Sequence, residues 1–309
     1  MNQIPYKFIA DFKLLLIANG QQTASATYPC PYCYITLSEL QPHNSKQSNS
    51  EDCNSDSSDD GIILKTFKDL IQDYLKFKSV EKKKLAREFH SVINYPLLVA
   101  EGDDEEANMY VLEKCPLPEL HLLQGLVNHL FWKGVIPAVG RENALLWPKK
   151  LKLVAKNYDG EIFEGNACRK LIKNADGLND PEIYKEAGPF RLQPFIATFK
   201  AMNKIVETCF STKKADTSEL VKNLRELGKA FDSTGVSKTL KIHVLLDHLK
   251  DGLRYLGNDG LGVWSEQAGE SVHREFSIYW ERFKINAIND PSFVDRLFKA
   301  VVTFSSQHV

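Results

Sequence analysis

The chain has 309 residues, a hydrophobic fraction of 43% and a formal net charge of −1. That composition excludes a disordered polypeptide, and the length is enough to bury one large core or two modest ones. The near-neutral charge excludes a protein-wide basic field, so any contact with nucleic acid must come from local patches.

In chain order, Ile4 to Ala10 predicts a short strand with Asp11 at its end, and Phe12 to Ala18 has the apolar density of a buried helix. Asn19 and Gly20 end that helix. Lys7, Asp11 and Lys13 interrupt this first apolar stretch, so it does not read as a signal peptide. Cys30-Pro-Tyr-Cys33 follows as a knuckle tightened by Pro29 and Pro31. Residues 41–60 are rich in Ser, Asn and Asp and predict a flexible polar surface loop.

From Ile62 to Tyr95 apolar residues recur at helical spacing, among them Phe67, Leu70, Ile71, Tyr74 and Leu75. Lys82, Lys83, Lys84 and Arg87 form a basic cluster, either a contact for a DNA backbone or a solvated helix face. Residues 101–106 are acidic and loop-like. Cys115 to Trp132 predicts a buried helix carrying His121 and His129, which read as hydrogen-bonded core residues before they read as ligands. Around Trp147 stand Lys149, Lys150, Lys152 and Lys156, a basic and aromatic stretch or an exposed amphipathic helix. Further helices are expected at Gly165 to Ala175, with Asn166 as its cap, at Pro189 to Cys209 and at Ser218 to Phe231. A turn at Ser233 to Lys238 leads into residues 241–284, where His243, His248, Trp264, Glu266 and Glu270 follow one another. No apolar run is long enough to span a bilayer.

Of the six cysteines only Cys30 and Cys33 stand close together, a pattern of reduced intracellular thiols rather than a disulfide framework. Two cysteines and two histidines suffice for a tetrahedral zinc site. Residues five apart on a regular helix point about 140° apart, so His243 and His248 predict a helix end or turn between them. Zinc held by Cys30, Cys33, His243 and His248 would close more than two hundred residues of chain, where a metal clip gains most in loop entropy. Unrelated core residues are the competing reading of the same four positions. For Glu266 and Glu270 that competing reading is favourable negative charge at a helix N-terminus.

Together these spacings resemble the Transib-type DDE transposases and the recombination-activating endonuclease subunit derived from them. Asp11 stands nineteen residues before Cys30, as the second catalytic aspartate of that family stands before its CxxC. Cys30-Pro-Tyr-Cys33 and His243-Val-Leu-Leu-Asp-His248 are similar to its two zinc pairs. Glu270, six residues after Trp264, takes the place of its catalytic glutamate, with Arg274 as a basic residue one turn later. Gly165-Asn166-Ala-Cys-Arg169-Lys170-Leu171 resembles a further motif within its insertion.

The resemblance implies a mainly α chain with a minor β element: a partial ribonuclease-H-like transposase core with a large helical insertion. Residues 1–34 would end that core, 35–61 form a flexible loop, 62–239 the helical insertion, and 240–309 the second zinc pair and the glutamate helix. It implies structural zinc, and catalytic magnesium or manganese on Asp11 and Glu270. It also implies DNA as partner at transposon ends, a homodimer among the allowed assemblies, no membrane, and a nuclear or otherwise intracellular location. The family's first catalytic aspartate has no counterpart upstream of Asp11, so this chain is expected neither to nick nor to join DNA by itself.

Overall fold

The computed structural model describes residues 7–40, 62–80, 82–158, 160–265, 267–284 and 290–306. The chain divides into two compact units, Met1–Trp264 and Ser265–Val309.

In the first unit α1 (Phe12–Ala18) is capped by Asp11, whose Oδ1 accepts from the Leu14 N–H at 2.7 Å. Such a cap satisfies one of the donors that a helix start leaves unpaired. Phe12, Leu15, Leu16 and Ala18 turn inward, while Leu14 and Ile17 remain exposed. Gly20 ends the element at φ +71°, and a Cβ there would stand 2.0 Å from the Asn94 carbonyl oxygen, so no other residue fits. The expected strand before Asp11 is not present in its described part. Residues 7–10 form no ladder, and the Phe8 N–H donates to the Lys114 carbonyl at 2.8 Å. The rest of that predicted strand, 4–6, lies outside the described residues, as does the predicted polar loop at 41–60.

The helical signal from Ile62 resolves into α2 (Phe67–Val80) and a 3-10 turn at Lys83–Phe89, so the basic cluster does not ride on a regular helix. The centre of the unit is α3 (Glu119–Leu130). Leu122, Leu123, Leu126, Val127 and Leu130 are fully buried, each contributing about 1.5–3 kcal/mol of burial. After α4 (Arg141–Lys150) comes a short antiparallel hairpin of β1 (Lys156–Tyr158) and β2 (Gly160–Ile162), the only sheet among the described residues apart from isolated bridges. Then follow α5 (Gly165–Lys173), α6 (Gln193–Cys209), α7 (Thr217–Asp232) and α8 (Leu240–Tyr255). The cap of α5 is Glu164 rather than Asn166, because the helix already begins at Gly165, two residues before an Asn166 cap would start it.

Both α5 and α8 pack on α3, while α6 packs on α5 and α7. The α3–α8 crossing is close: a Cβ at Gly252 would meet Leu117 at 2.9 Å, and one at Gly125 would meet Lys241 at 2.4 Å. The mainly α character read from the sequence is thus present, but the minor β element is this hairpin and not the strand expected before Asp11. No helix among the described residues is long and apolar enough to cross a membrane.

The second unit is a helical pair, α9 (Gln267–Phe283) and α10 (Phe293–Ser306). Its contacts are aromatic: Phe304 stands edge-on to Phe276 and Tyr279, and Phe293 to Trp280.

Candidate metal centre

Two residues separate Cys30 from Cys33, and the tight turn sends both thiols to one side. The knuckle is held from outside as well. The Lys65 N–H donates to the Tyr32 carbonyl at 2.8 Å, and Cys33 pairs with Leu64 in an antiparallel bridge. Inside the turn the Tyr32 N–H donates to Cys30 Sγ at 3.4 Å. The Tyr32 ring is fully buried and stands edge-on to His248, with centroids 5.8 Å apart.

The imidazoles come from the buried face of α8. His243 and His248 are 2% and 0% exposed, and Cys30 and Cys33 are 0% and 1% exposed. His243 Nε2 lies 3.3 Å from Cys33 Sγ and 3.2 Å from His248 Nε2, which in turn lies 3.5 Å from Cys30 Sγ. All four ligand atoms lie within 4.8 Å of one another. Ordinary zinc bond lengths in a tetrahedron put two nitrogens about 3.3 Å apart and sulfur about 3.6 Å from nitrogen. The distances and the donor chemistry both fit zinc. The expected interruption between the histidines is absent, since both lie within one continuous helix. Their rings instead swing toward each other across its surface, with centroids 4.8 Å apart and planes at 83°.

Protonation within the metal-free cluster is unequal. Burial pushes the Cys30 thiol up, but the Cys33 hydrogen bond, the Lys65 charge and two backbone N–H groups outweigh it and bring its pKa below the ordinary value. The same hydrogen bond from Cys30, with burial, raises Cys33 to about 11. Burial lowers the pKa of His243, yet its hydrogen bonds to Asp247 and Cys33 dominate and carry it up to about 9. Cys33 and His243 therefore keep protons at neutral pH that a metal ion would displace.

Two supporting residues escaped the sequence reading. Asp247 Oδ2 lies 2.6 Å from His243 Nδ1, so Nε2 is the nitrogen turned toward the thiols. Carboxylate support of a ligating imidazole is a common outer contact of metal sites. Its position four residues after His243 on a helix was the available signal. Lys65 is fully buried, donates from Nζ to the Cys30 carbonyl at 2.7 Å and sits over the Tyr34 ring. Burial draws its ammonium down to about 8, against the pull of Cys30, Cys33, Asp73 and Asp69. Nothing local in the sequence marks it, because it returns to the knuckle from beyond the polar stretch.

The other candidates fall elsewhere. Asp11 is in the first unit, half-buried at the start of α1. Glu270 belongs to α9 of the second unit, and its side chain lies outside the described residues, as do Glu266 and the side chain of Arg274. Arg169 binds Glu119 at 3.1 Å and ties α5 to α3. Trp147 is 1% exposed and donates to the Asn174 carbonyl at 3.0 Å, so it offers no open ring for base stacking. Its neighbour Lys150 is engaged by Asp180 and Glu182. His129 is hydrogen-bonded to the Ser237 carbonyl at 2.8 Å, in keeping with a structural role.

No protein-family model matches the chain, and no curated protein matches it.

Proposed function

We propose that the chain is a zinc-stapled, transposon-derived relative of the Transib-type DDE recombinases, with a partial ribonuclease-H-like core and a DNA substrate. The observation that carries this reading is the meeting of Cys30 and Cys33 with His243 and His248 across 210 residues in one buried cluster. The resemblance had singled out those four positions and no others as zinc ligands. In this reading Asp11 and Glu270 hold magnesium or manganese, which supplies a Lewis acid for cleavage and transfer of a phosphodiester. These side chains contribute two of the three carboxylates that such a site needs.

The test is manganese binding followed by electron paramagnetic resonance on zinc-loaded protein. The reading expects a site weakened at least ~10-fold by both Asp11→Asn and Glu270→Gln, with zinc content unchanged. Manganese binding that ignores either substitution overturns it.

A second reading is favoured by one specific contact. Asp11 Oδ1 is already engaged by the Leu14 N–H, which is the ordinary work of an N-cap. Under this reading the chain is a non-enzymatic, zinc-stapled helical domain that binds DNA or a protein partner. It predicts no manganese site and an effect of Asp11→Asn on stability alone.

A further inference from the structure

An open cavity of about 530 Å³ lies between α1, residues 21–25 and the first turns of α3 and α8. That volume is within the range of small-molecule sites, roughly 300–1,000 Å³. Phe12, Leu16 and Ile17 form an apolar wall along one side of it. Lys241 lines it from the start of α8; burial lowers the pKa of its ammonium, while the charge of Asp11 on the same lining acts to raise it. The stem of Lys241 is seated on Gly125, where a Cβ would come within 2.4 Å of its Cδ, so the close packing of α3 and α8 fixes where the amine emerges. Gln21 also lines the cavity. It is 5% exposed, and its Oε1 is buried without a hydrogen-bond partner.

Charge selects the class of ligand. Lys13 and Lys241 oppose the single carboxylate of Asp11, whose Oδ1 is occupied by the helix cap. The walls are too apolar for a bare inorganic ion, and the two lysines on the lining disfavour a neutral hydrocarbon.

We infer that this cavity is a binding site for a small organic acid with an apolar body. The carboxylate lies on Lys241 and the body on Leu16 and Ile17. This goes beyond the recombinase reading and does not depend on it, since none of these contacts uses Asp11 as a metal ligand. A recombinase that failed every manganese test would leave the cavity proposal intact.

The experiment is a pair of nuclear magnetic resonance titrations on the zinc-loaded full chain, without DNA or other divalent cations. The probes are phenyllactate and 3-phenylpropane-1,2-diol, which differ in carboxylate against hydroxymethyl. Saturable shifts of the Leu16, Ile17 and Lys241 amides are expected, with the acid binding about 10-fold tighter. Lys241→Gln is expected to erase that preference without changing zinc content. Ile17→Asn, at a position 51% exposed where folding is little affected, is expected to weaken acid and diol alike. Equal affinity of acid and diol for the unsubstituted chain overturns the proposal. So does a preference that survives Lys241→Gln, or the absence of saturable shifts up to the solubility of the acid.

Discussion

The thiol–imidazole cluster and the Asp11 end of α1 both rest on residues drawn from the same few segments, yet they are built in opposite ways. In the cluster, four polar side chains are all but fully buried, two of them more than two hundred residues from the other two. Burying such groups is costly unless something binds them, and a metal ion would. Asp11 is half-buried, and one of its oxygens already has a sufficient local reason to be there. The lesson is that burial of the polar atoms separates a site the fold is committed to from one it merely permits.

The largest effect should come from breaking the committed site. Cys30→Ala or His248→Ala is expected to abolish stoichiometric zinc, and chelation of the parent chain to do the same. Structural zinc contributes on the order of 10 kcal/mol in small domains, so loss of the cooperative thermal transition is expected in each case. A melting curve unchanged by chelation would remove the cluster from the account.

Next comes proton competition. Cys33 and His243 have metal-free pKa values of about 11 and about 9, above neutral pH, so both hold protons that zinc must displace. Acidification supplies more of the competitor. Zinc affinity should therefore fall as pH falls from 8 to 6, by about 100-fold per pH unit, which a chelator-competition titration reads. A flat profile would mean that these two groups do not bind the metal.

A smaller effect is expected from Asp247→Asn, which keeps a hydrogen-bond acceptor for His243 Nδ1 but removes the charge. Zinc affinity should drop about 10–100-fold with the fold intact. No change would make Asp247 a surface residue near the site by accident. The smallest effect belongs to the permitted site. Asp11→Ala should cost about 0.5–2 kcal/mol in chemical denaturation through the lost cap and leave zinc content unchanged. A cost well above that range would give Asp11 a structural importance that the cap does not explain.

The metal site was legible in the sequence because its ligand types are few and chemically distinctive. Cys30 and Cys33 announce a knuckle by spacing, and His243 and His248 sit in a segment otherwise apolar on one face. What spacing could not convey was how the imidazoles meet. A rule about where Cβ points predicted a helix break between them, but flexible rings reach across an intact turn. Lys65 was invisible for a different reason: its role depends on the chain returning to the knuckle after the polar stretch. The apolar run before Asp11 illustrates the opposite error. Residues 7–10 have the composition of a strand, but their described part pairs through an isolated bond to Lys114, and strand propensity without a neighbouring strand forms no ladder. The helices at Phe12–Ala18, Gln193–Cys209 and Thr217–Asp232 were readable to within a few residues, since each has an apolar stripe of helical period and a clear end. Lys241 carried no such signal, because its prominence comes from Gly125 on another helix.

The central claim is that one metal ion joins the start of the first unit to α8 through two sulfurs and two nitrogens. X-ray absorption at the zinc edge, on protein purified without added metal or chelator, tests it most directly. The account predicts one zinc per chain with two sulfur neighbours near 2.3 Å and two nitrogen neighbours near 2.0–2.1 Å. Protein without zinc, or zinc surrounded by oxygen with no sulfur neighbours, would contradict it.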